Sequence, residues 1–282
     1  MEEKSMKKTR IFGLIVALAL VVTLAACGSN GAKEDKKAKD NVLKIGASNI
    51  PHAVILEHVK PILEKEGIDL QITTYQDYIL PNKALADGEI DANYFQHIPY
   101  FNLQVKENDY DFVNAGAIHI EPLGLYSKRV KNLDDLKDGA TVIVSNSTTD
   151  WGRVISILQD AGLVKVKDGV DITTASFDDI VENKKNLKFT YEADPALMTT
   201  FLNNDEGDIV AINSNFAVDN GLDPLKDAIA LEKTSSPYAN IVAVRKEDKD
   251  NENIKKLVEV LKSKDVKDWI LKEWNGAVVP VD

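Results

Sequence analysis

Residues 42–74 read VLKIGASNIPHAVILEHVKPILEKEGIDLQITT, and this stretch decides the class of fold. Val42, Leu43, Lys44 and Ile45 begin as a strand. Ile55, Val59, Ile62 and Leu63 then fall on one face of a helix, which Gly67 stops. Residues 70–74 are extended again. A strand, an amphipathic helix and a second strand in immediate succession predict α/β layers with largely parallel sheets.

The alternation continues outward from this unit. Residues 113–120 and 123–126 read as extended, with Pro122 between them, and 141–144 as a strand. Trp151, Val154, Ile155 and Leu158 repeat at helical spacing, and Gly162 ends the run. Residues 209–212 and 241–245 are short apolar strands, and Ile254, Leu257, Val258 and Leu261 form another amphipathic helix. Ligands of such folds sit at the carboxyl ends of strands.

Toward the amino terminus the pattern gives way to an export signal. Lys4, Lys7, Lys8 and Arg10 precede an apolar run over 11–26 that ends in Leu24-Ala25-Ala26-Cys27. The run is short for a membrane-spanning helix, which needs about 20 residues, and suits a secretory signal cut before Cys27. Residues 1–26 are therefore expected to be a lipoprotein signal peptide, with lipidation at Cys27. The competing reading is an uncleaved membrane anchor with an incidental cysteine, but Cys27 is the single cysteine of the chain and the cleavage position accounts for it. Residues 27–41 carry many charges and no large apolar side chain, too little to fold, and read as a flexible linker. The expected location is the outer face of a cell membrane, held by the lipid.

The 241 residues from 42 to 282 have room for two domains of ordinary size. The chain carries 34 basic and 45 acidic side chains; without residues 1–26 these become 30 and 43, a net charge of −13. Such acidity argues against nucleic-acid binding. There is no GxSxG, HExxH, Walker or GxGxxG motif. Of the four histidines, His52, His58, His97 and His119, none stands with a second His or Cys at metal-ligand spacing. Neither a metal nor another cofactor is expected, and an exported, tethered α/β chain without catalytic signature points to binding rather than catalysis.

Three stretches are distinctive: DYILPNKALADGEIDANYFQHIPY, GAIHIEPLGLYSKRV and SPYANIVAVRKED. They resemble the NlpA/MetQ family of methionine-binding lipoproteins, the substrate-binding proteins of methionine ABC importers, and the resemblance runs from residue 42 to the C-terminus. It implies a two-lobed periplasmic-binding-protein-like fold of type II, with two crossover strands and the ligand between the lobes. Residues 42–122 and 234–282 would form one lobe and 123–233 the other, with extended crossovers at 121–126 and near 234–238. It also implies a monomer that closes on an amino acid and docks on an importer permease.

The resemblance places candidate ligand contacts at Arg153, Asn213, Asn215, Asn146, Tyr75, Tyr94, Phe95 and His97. Arg153, in a Gly-Arg pair near a helix start, matches the family's carboxylate-binding arginine; an arginine fork suits a carboxylate, although a surface arginine on an amphipathic helix would read the same. Asn213, after the strand at 209–212, matches a ligand-binding asparagine, with a turn cap as the ordinary alternative. Tyr94, Phe95, Gln96 and His97 carry the strongest signature. Alternation along a strand sends Tyr94 and Gln96 to the face opposite Phe95 and His97, so all four are not expected to line one pocket. Two departures stand out. NSTTDWGRV (146–154) replaces a family pattern close to N-D-P-x-N-x-G-R-A, and Glu192-Ala193-Asp194-Pro195 replaces an Ala-Gln-rich run. Trp151 and Asp194 thereby bear on which ligand is taken. Methionine is the first expectation; another apolar amino acid or a methionine-containing dipeptide keeps the same role, and a surface adhesin or scaffold is the reading of a different class.

Overall fold

The computed structural model describes residues 41–234 and 237–282. The signal segment, Cys27 and most of the linker lie outside the described residues. Among the described residues no helix is long and apolar enough to cross a membrane.

The strands are β1 (Val42–Ser48), β2 (Asp69–Tyr75), β3 (Ala92–His97), β4 (Phe112–Ile120), β5 (Gly124–Tyr126), β6 (Thr141–Ser145), β7 (Val164–Val166), β8 (Ile180–Asn183), β9 (Lys188–Ala193), β10 (Ile209–Ile212), β11 (Ala230–Leu231), β12 (Ala239–Arg245) and β13 (Val279–Pro280). They form two main sheets, ordered β13-β4-β12-β3-β1-β2 and β11-β5-β10-β6-β9, and β7 pairs with β8. The first sheet thus takes its strands from both ends of the described chain, and the second from the middle. The sheets are mixed rather than largely parallel. β1 runs parallel to β3, and β6 to both β9 and β10, but β12 is antiparallel to its neighbours β3 and β4, as is β5 to β10 and β11. The antiparallel pairings arise where the chain leaves one sheet for the other and comes back.

The helices that matter here are α1 (Val54–Lys65), α2 (Leu80–Ala86), α3 (Ile98–Asn108), α4 (Thr148–Asp160), α5 (Met198–Asn203), α6 (Ser214–Asp219), α7 (Glu252–Leu261) and α8 (Lys264–Trp274). In α1, Ile55, Leu56, Val59 and Leu63 are buried. They share one core with Leu43, Ile45, Leu70 and Val242 of the first sheet and with Ile254, Leu257 and Leu261 of α7. In α4, Val154, Ile155 and Leu158 pack with Leu125, Val142, Val144 and Ile209. Each sheet therefore buries its own apolar layer, the burial that stabilises a folded unit. α1 stops two residues before Gly67, whose φ of 82° is the left-handed conformation that glycine adopts without a Cβ clash.

The chain crosses between the sheets twice, first at residues 121–123 and again in the stretch whose described residues are 232–234 and 237–238. The two crossings run side by side. Ile120 pairs with Ala239 and Leu125 with Ala230, and between them the Glu232 amide donates to the Leu123 carbonyl (2.9 Å).

Candidate functional site

A cavity opens where the ends of β3, β4, β10 and β12 meet the amino-terminal turn of α4. About 380 Å³ of space free of atoms lies within it, open solvent at its mouth included. Phe95, Gln96, His97, Asp150, Arg153, Asn213 and Asn215 line it, together with Tyr78, Tyr100, Glu121 and Asn240. Tyr78, Tyr100 and Ser147 also line an outer groove that includes Asn146 and Asp194, so that groove is the mouth of the cavity.

α4 supplies the charged heart of the site. Asp150 and Arg153 are one turn apart on it, both buried, and Asp150 sits in the first turn, where a negative charge complements the helix dipole. The preceding Gly152 explains how the helix comes so close. A Cβ there would lie 1.7 Å from the Ile172 carbonyl oxygen and 3.2 Å from the Tyr238 hydroxyl. Only glycine lets backbone approach backbone at that distance.

Arg153 is engaged on several sides. Its Nε and Nη2 donate to Glu232 Oε2 (3.0 and 2.7 Å), Nη2 also to the Glu121 carbonyl (2.6 Å), and Nη1 to Asp150 Oδ1 (3.1 Å). Tyr238 stacks a ring against it, 5.0 Å from Cζ. Burial works against the guanidinium charge, but Glu232 and Asp150 outweigh it and push its pKa above the ordinary value. The sequence reading takes Arg153 as an open fork for a carboxylate. In the structure Glu232 already occupies the Nε/Nη2 edge, Nη1 goes to Asp150, and the residue lines the cavity. A guanidinium has five N–H donors, and these contacts use four.

Asp150 is the second charge. Oδ1 accepts from His97 Nε2 (3.1 Å) as well as from Arg153, and Oδ2 from Asn213 Nδ2 (3.1 Å). Burial alone would raise its pKa; the His97 hydrogen bond and the Arg153 charge overcome that and hold it well below the usual carboxylate range. Asn213 stands at the N-cap of α6 but makes no side-chain capping bond. Its amide goes to Asp150 instead.

Glu121 is the third. Its Oε1 accepts from His119 Nε2 (2.9 Å) and lies 3.2 Å from His52 Nε2, and the backbone N–H of Asn215 also donates to the carboxylate. Burial raises its pKa, and His52 and Arg153 pull it part of the way back. His52 Nδ1 meets Ser48 Oγ (2.6 Å) and His119 Nδ1 meets the Tyr94 hydroxyl, so each ring accepts at Nδ1 and donates from Nε2. Burial lowers the pKa of His52 to about 4 and that of His119 to about 3. Folding thus gathers two imidazoles and a carboxylate, a grouping that linear spacing hid. The Nε2 hydrogen of His119 goes to Glu121, and that of His52 to Asn240 Oδ1 (3.1 Å) with Glu121 Oε1 beside it, so every ring nitrogen of the group has a partner.

An aromatic wall completes the cavity. Tyr78 lies 6.0 Å from Phe95 and 5.9 Å from Tyr100 between ring centroids. The Tyr78 hydroxyl donates to Asn215 Oδ1 (2.6 Å), which joins the first sheet's side of the cavity to α6.

The structure brings Arg153, Asn213, Asn215, Phe95 and His97 together and sets three other candidates apart. Tyr94 is fully buried under the first sheet, its ring edge-on to His52 (4.6 Å). Tyr75 packs with Ala84, Leu85 and Ile90 and covers Gly46, where a Cβ would meet its ring at 2.8 Å. Asn146 lines the outer groove, its backbone N–H donating to the Ala193 carbonyl (2.7 Å). Gln96 joins Phe95 and His97 at the cavity although simple alternation opposes this. Val242 pairs with Tyr94 and Ile241 with Gln96, leaving Phe95 as an extra residue on β3, and such a bulge breaks the two-residue period. The two departures also find places. Trp151 turns its ring to Phe177 and Tyr191 and donates to the Ser145 carbonyl (2.9 Å), outside the cavity. Asp194 caps the Ala196 amide (2.9 Å) at the mouth. Asp150, Tyr78, Tyr100, Glu121 and Asn240 are not among the candidates read from the sequence, although Tyr78, Tyr100, Glu121 and Asn240 lie inside the three distinctive stretches and Asp150 inside the departing segment 146–154.

The family described as NlpA lipoprotein matches residues 43–282. The chain belongs to the NlpA lipoprotein family. The methionine-binding lipoprotein MetQ of Bacillus subtilis is 48% identical over 278 residues, 98% of this chain and 99% of that protein. Among solved structures, a pheromone cOB1 precursor/lipoprotein of the YaeC family from Enterococcus faecalis is 70% identical, with a TM-score of 0.84, covering 85% of this chain and 100% of the other. A nutrient binding protein from Burkholderia cenocepacia, solved bound to methionine, is 41% identical, with a TM-score of 0.79 over 85% of this chain and 100% of its own. The α/β fold of this NlpA family member is therefore that of solved lipoproteins and nutrient-binding proteins.

Proposed function

We propose that this chain is the lipid-anchored substrate-binding protein of an ABC importer, with L-methionine as its ligand. The observation that carries the reading is one cavity holding an ionised carboxylate, a guanidinium and an aromatic wall together: Asp150, Arg153, and Tyr78 with Phe95 and Tyr100. A free amino acid with an apolar side chain needs all three, because buried charges must be paired and hydrogen-bonded. In this reading the ligand ammonium takes the acceptors of Asp150 and Glu121. The ligand carboxylate takes the remaining Nη1 hydrogen of Arg153 and the amides of Asn213 and Asn240. The thioether lies on the rings, a contact of about 0.3–1.5 kcal/mol per ring. The B. subtilis and B. cenocepacia relatives support methionine.

Residues 42–122 with 234–282 and residues 123–233 act as two lobes that open about the crossovers to admit the ligand and close on it, a population shift driven by differential affinity. The closed monomer then delivers methionine to a permease, and binding rather than turnover is its task. Cleavage before Cys27 and acylation there hold it at the outer face of the membrane. Two chains anchor stably where one is marginal. A Cys27→Ser variant should accumulate as precursor or leave the membrane fraction; normal processing with full membrane retention argues against the anchor.

The ligand is tested by isothermal titration of protein stripped by unfolding and refolding, against methionine, methionine methyl ester, leucine and a methionyl dipeptide. Methionine should bind tightest. No heat with methionine, alongside tight binding of another of these, removes methionine and keeps the role; no binding of any of them removes the role.

A further inference from the structure

Glu232 is a buried carboxylate that lies outside the cavity walls. Its side chain is the meeting point of three parts of the fold. Oε2 accepts from Arg153 Nε and Nη2 (3.0 and 2.7 Å) on α4, and from the Leu123 amide (3.1 Å) in the first crossover, while Glu232 itself belongs to the second. Arg153 repeats the pattern. Its Nη2 also reaches the Glu121 carbonyl in the first crossover (2.6 Å), and its face meets Tyr238 of the second (5.0 Å). One ion pair therefore ties both inter-sheet connections to a cavity-lining residue whose Nη1 goes to Asp150. Ser214 Oγ adds a further tie, donating to the Pro122 carbonyl (2.5 Å) at the start of α6.

We propose that Glu232 is a positioning residue that makes ligand capture and lobe closure one event, by locking Arg153 to both crossovers through a single oxygen. The inference rests on the methionine-binding reading and adds to it a residue that touches no ligand. A guanidinium held on its Nε/Nη2 edge keeps Nη1 aimed at Asp150, and a rotation of the crossovers moves that guanidinium directly. A coupling of this kind is typically worth about 5- to 150-fold in affinity.

The test uses the mature protein and two measurements, isothermal titration with methionine and small-angle X-ray scattering with and without it. Glu232→Gln keeps the shape and one acceptor but removes the charge. It should bind methionine about tenfold or more weakly, and its scattering at saturating methionine should retain an open population that the wild type loses. Affinity within twofold of wild type overturns the proposal. So does weakened binding with wild-type closure at saturation, because Glu232 would then serve the pocket alone. Circular dichroism checks folding. Should Glu232→Gln fail to fold, Glu232→Asp, which keeps the charge and shortens the reach, is judged on the same two measurements. Should wild type not bind methionine, the binding reading fails separately, and scattering of the unliganded proteins decides. A broader distribution for the variant upholds the coupling to the crossovers, and superimposable curves overturn it.

Discussion

Asp150 and Arg153 stand one turn apart on α4 with Oδ1 and Nη1 3.1 Å from each other, both side chains almost wholly out of solvent. Helical spacing makes the pair and the fold makes it buried, so each charge depends on the other and on partners from distant segments: His97 and Asn213 for Asp150, Glu232 and Glu121 for Arg153.

Asp150→Asn preserves shape and removes the charge. Every contact of Asp150 is with a donor, and an amide must turn its own NH₂ toward one of them. Methionine affinity should fall by about 2–5 kcal/mol, roughly 30- to several-thousand-fold, by isothermal titration. An affinity within threefold of wild type would remove Asp150 from the ligand site.

Arg153→Ala should cost folding stability as well as binding. It strands two buried carboxylates and the Glu121 carbonyl, and breaking a buried pair from one side typically costs about 3–5 kcal/mol. Arg153→Lys should recover only part, since one ammonium cannot span Glu232, Glu121 and Asp150 together. Urea unfolding of ligand-free protein reads this directly. A midpoint unchanged in Arg153→Ala contradicts the described network.

Tyr78→Phe keeps the ring in the aromatic wall and deletes the hydroxyl that donates to Asn215. Because that bond joins the two sides of the cavity, the loss should appear in ligand affinity more than in fold stability, at about 0.5–1.5 kcal/mol. Titration and thermal unfolding run side by side separate the two, and a fall in melting temperature with intact affinity would refute the assignment.

Acid should weaken the fold through the buried imidazoles. His52 and His119 have folded pKa values lowered from 6.5 to about 4 and about 3 by burial. The unfolded chain therefore binds protons below about pH 6.5 that the native state refuses until pH 4 or 3. Stability is level above pH 6.5 and falls beneath it, by about 1.4 kcal/mol per pH unit for each ring. Glu121, raised by burial, takes up its proton earlier in the native state and offsets part of that loss. Asp150, depressed, adds a further loss only as pH drops below the ordinary carboxylate range. Urea midpoints at pH 7, 6 and 5 should decline, and His119→Gln should flatten the slope. Equal slopes in variant and wild type would exclude His119 as a source.

The amino-acid sequence by itself determined the elements. Helical spacing of Ile55, Val59 and Leu63, the stop at Gly67 and the apolar strand at 209–212 reappear in place, because each is set by neighbours three or four residues away or by one glycine. It also marked the stretches that build the site, since Asp150, Tyr78, Glu121 and Asn240 all lie within them. What each side chain does was left to tertiary structure. Linear spacing could not say that Glu232, 79 residues from Arg153, would close one edge of its guanidinium. Nor could it show that His52 and His119 would meet at Glu121, or that an extra residue at Phe95 would turn Gln96 to the cavity and leave Tyr94 in the core. Periodicity is a local property of the backbone, whereas the partners of a buried charge are chosen by which segments the two crossings bring together.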